Sequence, residues 1–114
     1  MKFDLNLWTK NMYSLHKRVG VDDRGDLIFH RSELYLKNIN FYIMDSREIA
    51  SEHDYEGRIV ARGHLHEGTD LVFISLKCFD DAHKDRSELD LTLYSNNPTI
   101  LLPLLEQIKQ VLWQ

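Results

Sequence analysis

The densest local set of metal-ligating side chains in this sequence is His64-Leu65-His66. On a β-strand, residues i and i+2 point to the same side, so both imidazoles can approach one ion. Glu67 or Asp70 would be the nearest third ligand, and His30, His53 and His83 are further donors. Two histidines do not by themselves make a metal centre, which needs a third ligand and outer hydrogen bonds that orient the rings. Beside Arg62, the pair reads as the polar, outward side of a solvated strand, and no metal or other cofactor is expected.

Other routes to catalysis find little support in the residues. No serine or threonine stands in a Gly-x-Ser-x-Gly nucleophile turn. Cys78 lies in the run Leu-Val-Phe-Ile-Ser-Leu-Lys-Cys-Phe (71–79), so a buried, inert thiol is expected. The 5 glycines are too scattered to cradle a phosphate. Asp80-Asp81 with Asp85 does not match a calcium loop. Dense carboxylates do not make an acid–base pair unless burial shifts one of them. The expectation is therefore a non-enzyme.

The acids matter more for where they lie. The chain of 114 residues has 14 Lys+Arg against 18 Asp+Glu, a net charge of −4. Asp45, Glu48, Glu52, Asp54 and Glu56 stand against Arg47 alone. Asp80, Asp81, Asp85, Glu88 and Asp90 stand against Lys84 and Arg86. These two segments together outweigh the acid excess of the whole chain, while residues 1–31 are mildly basic. Such segregation steers charged partners. It argues against nucleic-acid binding, which needs a basic stripe to neutralise phosphates.

The elements that would position these residues follow from periodicity. Leu5, Trp8, Met12, Leu15 and Val19 form a helical stripe, with Asp4 as N-cap and Gly20 as stop, predicting a helix over 5–19. Beyond a turn at 22–26, Leu27–Phe29 and Leu34–Met44 alternate like strands, with a bulge near Lys37 and Asn38. Residues 45–57 read as an acidic connection. Strands over 59–66 and 71–79 join through a turn at 67–69, a second acidic connection covers 80–88, and Leu89, Leu91 and Leu93 mark a last strand. Asn97 caps a C-terminal helix with Pro98 at its first position, and Pro103 is awkward for a regular helix.

The predicted fold is α+β, one domain over 1–114. It is an antiparallel four- to five-stranded meander with an N-terminal and a C-terminal helix packed on one face. With 43% hydrophobic residues and 28% charged, a soluble globular chain is expected. One cysteine, no signal-like apolar start and no membrane-length apolar run predict a cytoplasmic protein with no membrane partner. In a meander, alternate connections leave at the same end, so both acidic segments should share one rim.

The predicted partner-binding residues are Asp45, Glu48, Glu52, Asp54, Tyr55, Glu56, Asp80, Asp81, Asp85 and Glu88. Tyr55 is read as an exposed tyrosine among acids, a protein-binding composition. The leading expectation is a protein-binding inhibitor that meets a partner with a basic surface, as immunity proteins and antitoxins meet nuclease-like toxins. A small metalloprotein or hydrolase using His64 and His66 is the first alternative. The second is a dimeric accessory subunit, a homodimer being suggested by the broad apolar face of the C-terminal helix.

Overall fold

A computed structural model of the chain describes residues 4–21, 25–51, 54–65, 70–81 and 86–112. The order is α1 (Leu5–Trp8), β1 (Tyr13–Val21), α2 (Gly25–Asn38), β2 (Tyr42–Ala50), β3 (Asp54–Leu65), β4 (Asp70–Asp81), β5 (Arg86–Ser95), a 3₁₀ turn (Pro98–Ile100) and α3 (Leu101–Leu112). The five strands form one antiparallel sheet, ordered β1-β5-β4-β3-β2. The α+β class and the antiparallel sheet agree with the sequence reading. β2 to β5 run as a meander, and β1 closes the far edge beside β5.

The N-terminal half differs from expectation. Asp4 does cap a helix, accepting hydrogen bonds from the amides of Asn6 and Leu7, but that helix stops at Trp8. The rest of the predicted helix is β1. A spacing of four, as between Leu15 and Val19, returns to the same face in both a helix and a strand. Pairing with β5, where Leu15 faces Leu93 and Val19 faces Leu89, selects the strand.

Leu27–Phe29 and the start of Leu34–Met44, read as strands, instead belong to one helix, α2. Its buried face is Ile28, Phe29, Ser32 and Leu36, whereas Leu34 is exposed. Ser32 hides this stripe from a hydropathy reading. It is buried because its hydroxyl donates to the Ile28 carbonyl one turn back. α2 ends at Asn38, and two residues on, Asn40 turns the chain with a left-handed φ of 65°. The amide of Phe41 reaches the Leu36 carbonyl at 2.8 Å, and the amide of Asn40 reaches that of Lys37 at 3.1 Å. This is the paired-bond helix stop that favours glycine or asparagine. It turns Phe41 into the core.

The core lies between α2 with α3 and one face of the sheet. That face presents Tyr55, Ile59 and Ala61 of β3, Val72, Ile74, Leu76 and Cys78 of β4, and Leu89, Leu91 and Leu93 of β5. α2 packs mainly on β3 and β4, and α3 on β5 and β1. A Cβ on Gly57 would sit 2.4 Å from the Phe29 ring, and one on Gly63 would sit 2.4 Å from the Phe41 ring. Both glycines let an aromatic ring lie directly on β3. Pro103 falls in the first turn of α3, where a missing amide hydrogen costs nothing. Asn97 caps the preceding 3₁₀ turn as expected, accepting from the Thr99 amide at 3.1 Å. Among the described residues, no helix is long and apolar enough to cross a membrane.

Candidate functional site: the open face and acidic end of the sheet

Among the described residues, the other sheet face carries no long helix. The short α1 lies across it, with the Trp8 ring tilted over Phe73 at 6.4 Å between centroids. Strand register arranges the open face as rows running across the sheet. Nearest the connections at 51–53 and 82–85 is the row Ile49, Glu56, Phe79 and Glu88. Next comes Arg47, Arg58, Lys77, Asp90 and Arg18, from all five strands. Then come Asp45, Val60, Ser75, Thr92 and His16, and after them Tyr42, Arg62, Phe73, Tyr94 and Ser14.

The two acidic segments do meet at one end of the sheet. Ala50 faces Tyr55, Tyr55 faces Asp80, and Asp80 faces Ser87, a continuous row at that end. The segments are strand ends more than loops, because β2 runs to Ala50, β3 starts at Asp54, β4 runs to Asp81 and β5 starts at Arg86. Their charge suits strand ends and the β2 edge, where charged side chains deter pairing with other chains.

The predicted contact residues divide between the two faces. Glu56 and Glu88 lie on the open face. Glu48 lies on the helix side, 3.6 Å from Nε2 of His30, and Asp80 there accepts from the Ser87 hydroxyl at 3.3 Å. Asp45 sits farther in, on the open face, with an oxygen 3.3 Å from Nε of Arg47. Asp54 and Asp81 face one another across β3 and β4. Glu52 and Asp85 lie outside the described residues. Tyr55 corrects the reading of an exposed tyrosine: it is 9% exposed and packs edge-on against Phe29 in the core. An odd position on β3 places it on the helix-covered side, and burial there outweighs the polarity of its neighbours.

The middle of the open face is a groove of about 780 Å³, bounded by Asp4, Leu5 and Asn6 on the α1 side and by Arg47, Arg58 and Lys77 on the sheet. Ser75 and Thr92, facing one another on β4 and β5, also line it. Asp90 hydrogen-bonds to Nε2 of His16 and accepts from Arg18 at 3.2 Å. Burial pushes the Asp90 carboxyl up, but the hydrogen bonds and charge of His16 and Arg18 outweigh that and hold it below the usual carboxylate range.

Sequence reasoning missed two features. The cation row Arg47–Arg58–Lys77 had one visible trace, a lysine interrupting the apolar run of β4. The other is the exposed aromatic end of the same face, where Trp8 is 55% and Tyr42 65% exposed near Arg62. Tryptophan, tyrosine and arginine are the side chains that anchor protein interfaces.

His64 is exposed at the end of β3, opposite Leu71, and His66 lies outside the described residues. Among the described residues, no three His, Cys, Asp or Glu side chains come together as metal ligands. Cys78 is fully buried, and burial pushes its thiol up to about 12, so it is no nucleophile. The apolar face of α3 is covered by its own sheet through Leu101, Leu104, Leu105, Ile108 and Leu112, leaving Leu102 exposed.

By architecture the chain is an α+β protein with a two-helix layer on one sheet face and an open, charged opposite face. Compared with protein-family models, curated proteins and solved structures, it matches none.

Proposed function

We propose that this protein is a non-enzymatic protein-binding inhibitor of the immunity or antitoxin kind, which meets a basic partner through the acidic end of its sheet. The observation that carries the reading is the convergence of the two acidic segments on that end. The row Ile49, Glu56, Phe79 and Glu88 alternates apolar and acidic side chains across four strands. Ile49 is 62% exposed, Glu56 is exposed, and Phe79 and Glu88 are half-buried. Apolar groups beside carboxylates supply burial and charge complementarity to a cationic surface together. Opposed charge accelerates encounter and sets register more than it sets affinity. The contact set is centred on Glu56 and Glu88, with Glu48 and Asp80 at the same end of the sheet. Tyr55 does not belong to it.

The test is capture from lysate of the native cell, using wild type and a Glu56→Lys/Glu88→Lys variant at low and high salt. The reading expects a partner with a basic surface that wild type retains at low salt, loses at high salt, and never binds through the variant. A partner held equally by both proteins, or indifferent to salt, overturns it.

A further inference from the structure

The acids lining the open-face groove are already engaged. Asp4 caps α1, Asp45 faces Arg47 and Arg58, and Asp90 faces His16 and Arg18. The cations are matched only in part, because Arg47 and Arg58 share the single carboxylate of Asp45. Lys77 is exposed and has no hydrogen-bond or ion-pair partner among the described residues. Nε of Arg58 is buried without a hydrogen-bond partner, with Oδ2 of Asp45 4.0 Å away. Arg47 stands directly opposite Arg58, and Arg58 directly opposite Lys77. Like charges at facing positions oppose sheet formation. Lys77 also stands directly opposite Asp90, so Asp45 and Asp90 are set among Arg18, Arg47, Arg58 and Lys77, and the cations outnumber the carboxylates along the row. Beside them, the hydroxyls of Ser75 and Thr92 offer neutral donors two residues along β4 and β5 from Lys77 and Asp90.

We propose that this groove is an anion-binding site, taking a small molecule through a phosphate or carboxylate group held between Arg58 and Lys77. The guanidinium offers a planar fork of donors and the ammonium a mobile point charge, a combination that suits both oxyanions. The volume of about 780 Å³ matches a small organic molecule and exceeds the needs of a bare ion. Asp4 is satisfied by the amides of α1, Asp45 is shared by Arg47 and Arg58, and Asp90 by His16 and Arg18, so the groove's carboxylates are each screened by donors of the fold. These residues are distinct from Glu56 and Glu88, so the site stands or falls independently of the acidic-end interface.

The experiment is an amide NMR titration with inorganic phosphate and, separately, succinate, with ionic strength held constant by sodium chloride. The site predicts saturable shifts centred on Arg58, Ser75, Lys77 and Thr92. Lys77→Gln weakens the apparent affinity about tenfold or more, and Lys77→Arg retains it. Stronger binding of phosphate identifies a phosphorylated ligand, and stronger binding of succinate a carboxylated one. Thr92→Val, which keeps every charge, gives a smaller loss. Shifts that never saturate, or saturable binding unchanged by Lys77→Gln, overturn the proposal.

Discussion

Arg58 and Lys77 occupy directly facing positions on β3 and β4, both on the open side of the sheet, and Arg47 extends the same row on β2. Natural sheets usually place opposite charges or uncharged groups at such positions, because facing cations repel. On its other side, however, Lys77 stands directly opposite Asp90. Lys77→Gln removes one repulsion and one attraction, so stability should change by less than about 0.5 kcal/mol at low salt. Any difference should shrink as salt screens the row. Urea denaturation at two ionic strengths measures both effects, and a larger loss would show that Lys77 has a structural partner.

Asp90 is the acceptor that ties β5 to β1 through His16 and Arg18. Its carboxyl is held below the usual range in the folded state. A depressed carboxylate contributes stability that is present above its unfolded pKa and lost as pH falls through its folded value. Asp90→Asn should cost about 1 kcal/mol near neutral pH, a small figure because both partners are largely exposed. The difference between wild type and variant should close below about pH 4. Denaturation midpoints across pH 3–7 would reveal a parallel offset if Asp90 acts only through its shape.

Cys78 is buried on the helix-covered face of β4, and its thiol is pushed up to about 12. A raised thiol contributes stability that is full below its unfolded pKa and declines as pH rises toward the folded value. Two outcomes follow. Stability should fall between about pH 8.5 and 12. Labelling of the native protein by a thiol reagent should occur only through opening of the fold, and urea should accelerate it sharply. Immediate stoichiometric labelling in native buffer would contradict the burial.

Gly63 lies under the Phe41 ring, where an added Cβ would be 2.4 Å from it. Gly63→Ala forces that ring out of the pocket formed where α2 gives way to β2. The expected destabilisation is about 2 kcal/mol. Gly20, with open space around its position, is the control, since alanine there meets nothing within 4 Å. Thermal unfolding of the two variants should separate them clearly.

Much of the C-terminal half is readable from local pattern. The alternation of Ile59, Ala61 and Gly63, the unbroken apolar run of 71–79, and the alternating Leu89, Leu91 and Leu93 each correspond to a strand. Asn97 with Pro98 corresponds to a helix start. These segments bury one face or both, so their hydropathy reports their period. The N-terminal half resists the same reading. Leu15 and Val19 fit a helix and a strand equally, Ser32 interrupts a helical stripe with a hydroxyl that its own helix satisfies, and β2 is a charged edge strand that resembles a loop. The candidate site is partly readable too. The acidic clusters are plain in the chain, but Tyr55 among them turns inward because its strand position decides its face, whatever its neighbours.

Taken alone, the sequence determined the α+β class, the caps at Asp4 and Asn97, the burial of Cys78 and the gathering of acids into two segments. All of these depend on residues near one another in the chain. The tertiary structure decided which side chains stand opposite one another: Arg47, Arg58 and Lys77 from three strands, Asp90 with His16 from β1, and Phe41 over Gly63. Those neighbours are set by hydrogen-bond register between distant segments, and hydropathy repeated along a single strand carries no record of the strand that pairs beside it.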